Sequence, residues 1–276
     1  MSQLPTASNT LSPTVTSTVT AAAKSAISNL KQRIKPVVIW LSRKLRLTFN
    51  PRPERRLARL TAMLLMPWVP SLALAAPTGG QVVSGQATIV QPNTTTTQIN
   101  QTTNKAVLDW QKFSIARGET VIFNQPGASS VALNRVLGGD PSQIFGTLKA
   151  NGSVFLVNPG GVLFAPGANI NVGGLVGSTL GISNADFNAG NYRFANGGNA
   201  GSVMNQGSIN ANGGYVALLG PKVGNDGQII ANGGSVGMGA GNKVTLSFGS
   251  TGMVNVNVDA AAAAATINNK GLVQAD

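Results

Sequence analysis

Residues 133–187 read LNRVLGGDPSQIFGTLKANGSVFLVNPGGVLFAPGANINVGGLVGSTLGISNADF. Three short apolar runs, at 153–157, 162–164 and 174–176, alternate with Asn, Gly and Pro. Each is too short for a helix and is bounded by turn formers, the pattern of short buried strands. Asn158-Pro159-Gly160-Gly161 predicts a reversal between two of them, because Pro presets φ and Gly accepts the positive φ that such a turn requires. Strand, turn, strand, turn, with no room for crossover helices, predicts a chain that coils on itself.

Downstream, a repeat gives the coil a length. GSINANGGYV at 207–216 recurs as GQIIANGGSV at 227–236, an offset of 20 residues. GTLKANG at 146–152 fits the same frame 61 residues before Gly207, close to three periods, and Gly271 restarts it 44 residues after Gly227, two periods with slack. A period near 20 with no helical half predicts a parallel β-helix, and about ten such coils would fit between 76 and 276, roughly 48 Å at strand spacing. Within a coil, Ile209 and Ala211 alternate with Ser208 and Asn210, so one set points inward. Asn212-Gly213 then turns the corner. Recurrence of Asn at 151, 212 and 232 predicts a ladder of stacked turn asparagines. A lone coil cannot offset its own ordering entropy, so each must lean on its neighbours. The clean alternation VNVNV at 254–258 reads as a strand, and the six alanines at 260–265 as an insertion at a coil corner.

Upstream, 81–90 reads as a polar strand, and the Thr, Gln and Asn tract at 94–103 lies at an edge or covers one. Two apolar runs between 106 and 123 flank the turn former Arg117-Gly118-Glu119. The start of any such stack needs a cap, because an uncovered first coil exposes a row of unpaired backbone groups.

These residues resemble the haemagglutination-type secretion domain of two-partner secretion exoproteins, the filamentous haemagglutinin-like family. The likeness rests on Asn134-Arg135-Val136, Pro141-Ser142-Gln143-Ile144-Phe145-Gly146, Ala150-Asn151-Gly152, the run VFLVNPGGVLF at 154–164, and Val172-Gly173-Gly174-Leu175. Asp109-Trp110, Phe113-Ser114-Ile115 and Val121-Ile122-Phe123 precede them in the family's order. The chain departs from the family at Gly160, where Asn is frequent. The resemblance implies an all-β, right-handed parallel β-helix with an amino-terminal β cap over 106–123. It implies a secreted exoprotein or adhesin recognised by an outer-membrane barrel transporter with periplasmic domains, with β-helix folding nucleated at the cell surface. It also marks Asn134, Arg135, Asn158, Pro159, Gly160 and Gly161 as transporter recognition elements or a fold-defining turn.

The formal charge of +12 belongs almost wholly to the amino-terminal segment. Residues 1–60 hold eleven basic residues and one acid, Glu54; the remainder holds nine basic and seven acidic. The body has no basic face for phosphates, so nucleic acid is not an expected partner. Residues 1–30 are a Ser, Thr and Ala tract without apolar period, 31–59 are basic, and 60–75 are apolar and closed by Ala73-Leu74-Ala75. This is the layout of an extended signal peptide addressed to the general secretory machinery, with cleavage between Ala75 and Ala76. The apolar run of about 16 residues falls short of the roughly 20 of a spanning helix, and Pro67 and Pro70 interrupt it. The expected organisation is a leader over 1–75, a secretion domain over 76–190 and further coils over 191–276. The repeat restarting just before Asp276 reads as the amino-terminal part of a longer exoprotein.

Catalysis has little to stand on. The 276 residues include no Cys and no His, which removes thiol and imidazole chemistry together. The acids after residue 75 are scattered, and only Asp186 and Asp226, two periods apart, have a spacing that would share a column. Gly138-Gly139-Asp140 lacks the lysine and helix of a phosphate loop. Trp110 and Phe113 read as core. No cofactor or metal is implied. The alternatives are a passive structural β-helix of the cell surface or matrix, and a polysaccharide-acting β-helix enzyme.

Overall fold

The computed structural model describes residues 76–195, 201–249, 253–262 and 264–275. The predicted leader, with Ala73 and Ala75, lies outside the described residues.

From Ala76 onward the chain winds as a parallel β-helix of about six turns with three faces. Face I runs Thr96–Gln101, Thr120–Asn124, Thr147–Ala150, Asn169–Asn171, Ser208–Asn210, Gln228–Ile230 and Leu272–Gln274, all parallel. Face II runs Lys105–Trp110, Val131–Val136, Ser153–Val157, Gly174–Ser178, Tyr215–Gly220 and Ser235–Ala240. Face III runs Ser142–Ile144, Val162–Phe164, Ser202–Asn205, Lys222–Asn225 and Thr266–Asn269.

Inward residues of all three faces form one continuous core, with Trp110, Phe123, Leu156, Phe164 and Ile209 among its buried members. Ile209 and Ala211 point inward as expected, and Gly213 and Gly233 turn their corners at φ of 74° and 66°.

Register fixes the coil lengths. Thr96, Thr120, Thr147, Asn169, Ser208, Gln228 and Leu272 stack in one column, so successive coils take 24, 27, 22, 39, 20 and 44 residues. The expectation of ten 20-residue coils is therefore corrected to about six. The 61-residue offset spans two coils and the 44-residue offset one, because both include insertions at the corner between faces II and III. The first insertion carries the one helix among the described residues, Asn184–Ala189, capped by Ser183 and by Gly190 at φ 79°, and then the strand Tyr192–Ala195. The second carries Lys243–Phe248 and Val254–Ala260. Val254 to Val258 is a strand as predicted, but it lies off the solenoid, and the alanines after it lead back to face III.

The strands of the two insertions join in an antiparallel sheet, Tyr192–Ala195 beside Lys243–Phe248 beside Val254–Ala260. This sheet and the helix cover the outside of face II, where Phe155, Val176 and Leu219 meet Phe187, Phe194 and Leu246 in a second buried core. Phe155 lies 5.9 Å from Phe187, 5.3 Å from Tyr192 and 6.3 Å from Phe194, ring centre to centre. Ser153–Val157 and Gly174–Ser178 are buried at every residue because they are covered on both sides, which is why they read as continuous apolar runs.

The cap precedes its predicted place. Gln81–Ser84 pairs antiparallel with Lys105–Trp110, and Ala87–Asn93 antiparallel with Thr96–Gln101. The single strand expected over 81–90 is two, broken at Gly85 with φ 75°. Thr96–Gln101 is a paired, half-buried strand rather than an edge, and the region 106–123 is the first coil beneath the cap.

The predicted asparagine ladder exists at another corner. Asn205 Nδ2 donates to Asn225 Oδ1 (2.8 Å), and Asn225 Nδ2 donates to Asn269 Oδ1 (2.7 Å). Asn205 and Asn225 are fully buried. At the corner that was expected to carry it, the Asn232 backbone N–H donates to Asn212 Oδ1 at 3.2 Å, a contact to backbone and not a rung between side chains.

Candidate recognition site in the first coils

The residues implied by the family resemblance do not form one turn. Asn134 and Arg135 sit side by side on the face II strand Val131–Val136 and point to opposite sides of it. Asn134 is on the interior row and is fully buried. Its Oδ1 accepts from the Trp110 indole N–H at 2.9 Å, and its Nδ2 donates to the Ala132 carbonyl at 3.3 Å and the Phe155 carbonyl at 3.4 Å. A buried indole N–H needs an acceptor, and Asn134 is placed to be it. Arg135, on the outer row, makes a two-point contact with the cross-strand Asp109, Nε to Oδ1 at 2.8 Å and Nη2 to Oδ2 at 3.0 Å. The reading of Asn134 and Arg135 as turn residues is thereby corrected: both are strand residues that join the first two coils.

Asn158-Pro159-Gly160-Gly161 is a turn, between Ser153–Val157 and Val162–Phe164. Asn158 is fully buried. Its Oδ1 accepts from Gly160 N–H at 2.9 Å, while its Nδ2 donates to the Asp140 carbonyl at 3.0 Å and to Ser142 Oγ at 2.9 Å. Its backbone N–H donates to the Ser178 carbonyl at 2.9 Å. One side chain thus shapes its own corner and ties it to the coil before, while the backbone ties it to the coil after. Gly161 takes φ 128°, and its carbonyl accepts from Ser142 N–H at 2.9 Å. The chain's departure at Gly160 has a local reason: a Cβ there would come 2.7 Å from the Gly139 carbonyl oxygen.

Beside this corner a cleft of about 330 Å³ is lined by Ala76, Thr78, Lys112, Ser114, Asp140, Pro141, Gln143 and Phe145. Lys112 Nζ lies 2.7 Å from Asp140 Oδ2 across its mouth, and this hydrogen bond holds the exposed Asp140 carboxyl below its usual range. Apolar surface is exposed at both ends of the stack, by Val82, Val83 and Val90 on the cap and by Ile267 and Leu272 on the last described coil.

Among the described residues no group of three or more potential metal-ligating His, Cys, Asp or Glu exists. Asp186 and Asp226 share no column: Asp186 pairs with Arg193 beside the helix, while Asp226 sits at a solenoid corner.

The described residues form a capped, stacked β-solenoid whose buried polar contacts join coil to coil. A model of the TPS secretion domain matches residues 73–275, and the chain belongs to that family. The heme/hemopexin-binding protein of Haemophilus influenzae strain Rd is 38% identical over 207 residues, 72% of this chain and 23% of that protein. A second Haemophilus influenzae protein of the same name is 42% identical over 114 residues, 41% of this chain and 12% of its own length. This chain therefore spans less than a quarter of the curated relatives it matches. Among solved structures, the HMW1 secretion domain from Haemophilus influenzae aligns with a TM-score of 0.65 at 32% identity, covering 73% of this chain and 57% of that one. The family comprises domains of exported two-partner secretion proteins.

Two features of the site escaped the sequence reading. The buried ladder has a repeated signal, Asn-x-Gly, at Asn205-Gln206-Gly207, Asn225-Asp226-Gly227 and Asn269-Lys270-Gly271. The bond from Trp110 to Asn134 had none, because its partners lie 24 residues apart.

Proposed function

We propose that residues 76–275 form the amino-terminal domain of a secreted exoprotein that an outer-membrane barrel transporter recognises through its periplasmic domains, and that starts β-helix folding outside the cell. The observation that carries this reading is the asymmetry of the stack: antiparallel strands close the amino-terminal end, while every later coil adds by parallel pairing onto the one before. A capped start gives emerging chain a template at which folding can begin, and each added coil opposes return through the barrel. The predicted leader supplies passage through the inner membrane by the general secretory machinery. Because Asn134 and Asn158 are buried once folded, transporter recognition of these residues acts on the unfolded chain. We assign export to these residues.

The test mixes the chain, folded and held unfolded, with the purified periplasmic domains of the partner barrel. Binding by the unfolded chain is expected; binding by neither form would refute the proposal. Deleting the barrel alone is expected to abolish secretion, whereas undiminished secretion would favour a passive structural protein.

A further inference from the structure

The amino-terminal cap is thinly held by its own contacts. Gln81–Ser84 has one strand neighbour among the described residues, Lys105–Trp110, and its register shifts between Val82 and Ser84. Val82 and Val83 are 37% and 46% exposed, so the strand buries little apolar surface of its own. Support arrives from far along the chain. The helix Asn184–Ala189 follows Gly174–Ser178, the face II strand of the fourth coil. Four strand spacings, about 19 Å, separate that strand from Gln81–Ser84 in the sheet. The helix crosses back over them and its carboxyl end meets the cap. Asn188 Nδ2 donates to Ser84 Oγ at 3.1 Å, across 104 residues of sequence. Lys105, on the strand that pairs with Gln81–Ser84, donates from Nζ to the Phe187 and Asn188 carbonyls at 3.0 Å each. The same Nζ lies 5.8 Å from the Phe187 ring centre and 5.7 Å from that of Tyr192. Carbonyls at a helix end need outside donors, and both rings favour a cation at this distance.

We propose that this helix is a strap that locks the cap. Its two anchors, Lys105 and Ser84, couple the start of the solenoid to the fourth coil, so the cap and the strap open together. By linkage, whatever loosens one loosens the other. The strands of the cap and first coil are complete by Trp110, but their lock is made only once residue 190 is in place.

Hydrogen exchange on the refolded 276-residue chain, read by mass spectrometry of its peptides, tests the coupling. Lys105→Met keeps the length of the side chain and removes its ammonium. Two reporters lie beside the anchors: Thr102 N–H donates to the Gln86 carbonyl and Gln86 N–H to Thr103 Oγ1, both at 2.9 Å. Exchange is expected to rise about 10- to 100-fold both in 81–103, which holds them, and in 184–193, while 207–231 in the later coils stays unchanged. An unchanged cap would overturn the proposal, and so would an equal rise in 207–231, which would mean general loosening. Gly79→Ala supplies the reciprocal arm. It strains the cap at φ 67°, with its new methyl 2.7 Å from Gln111 Cβ and away from the strap. It is expected to speed exchange in 184–193 as well as in 81–103, and a rise confined to 81–103 would show that the two are not coupled. If Lys105→Met does not refold, Ser84→Ala makes the same comparison. A rise of about 3-fold in both segments is then expected, and no rise in 184–193 would refute the lock.

Discussion

Asn158→Ala separates a residue that holds the fold from one that a transporter reads. The substitution removes three side-chain hydrogen bonds, to the Asp140 carbonyl, to Ser142 Oγ and from Gly160 N–H. Ser142 is itself 1% exposed, so water does not readily replace the lost partner. At about 1 kcal/mol net for each bond, the loss is about 3 kcal/mol. In a domain of roughly 200 residues each kcal/mol lowers Tm by roughly 2–4 °C, a fall of about 6–12 °C here. Circular dichroism melts of residues 76–276 measure this, with Pro159→Ala as a control that removes no hydrogen bond donor. The same variants, held unfolded, are titrated against the transporter's periplasmic domains. An Asn158→Ala chain that melts like the parent but no longer binds when unfolded would refute the assignment of Asn158 to the fold.

Gly214→Ala is expected to destabilise by more than about 3 kcal/mol in urea unfolding, because its new methyl overlaps the Gly173 carbonyl oxygen one coil below and the backbone must shift to admit it. Both tyrosines of the chain, Tyr192 and Tyr215, have phenols raised above 10.0 by burial. Their folded values exceed their unfolded ones, so the stability they contribute is complete below pH about 10 and fades as pH climbs through the folded values. Absorbance titration is expected to show no phenolate step near 10 until the protein unfolds. Lys112→Ala is expected to return the Asp140 carboxyl toward 3.8 in an NMR titration while leaving the melt unchanged, since the pair is exposed and screened by water; a lowered Tm would show that the cleft depends on it.

The strands of the solenoid were legible because burial writes itself into their residues. Ile209 with Ala211 and the run at Ser153–Val157 show it on faces I and II. The number of coils was not legible, because an insertion at a corner returns the chain to the same frame and an offset of 44 residues does not say whether it hides one coil or two. The cap was displaced in the reading for a related reason: Gln81–Ser84 is exposed for most of its length, so it carries no apolar alternation to announce it. Asn134 and Asn158 were legible as residue types in a motif. Their burial was not, since a polar side chain between apolar neighbours looks the same whether it meets water or an indole N–H.

The broken period and the doubly buried strands of face II have one cause. A strand that buries both sides needs a second layer, and a solenoid of uniform coils has none to give. The two corner insertions supply it, yet neither suffices alone. Tyr192–Ala195 finds its partner in Lys243–Phe248, about 50 residues later, so the outer cover over the Phe155, Phe187 and Phe194 cluster is complete only with the insertion of the sixth coil. Lys105 draws the first insertion toward the amino-terminal coil meanwhile, its Nζ donating to the Phe187 and Asn188 carbonyls at 3.0 Å each, at the helix end where a cation is favoured. On the proposed reading, in which folding runs from the amino terminus onward, the inner core grows coil by coil while the outer core waits for the second insertion. Progress is gradual along the axis and then becomes hard to reverse once the outer sheet has paired, which is the behaviour a domain needs if its folding is to hold it on the far side of a membrane.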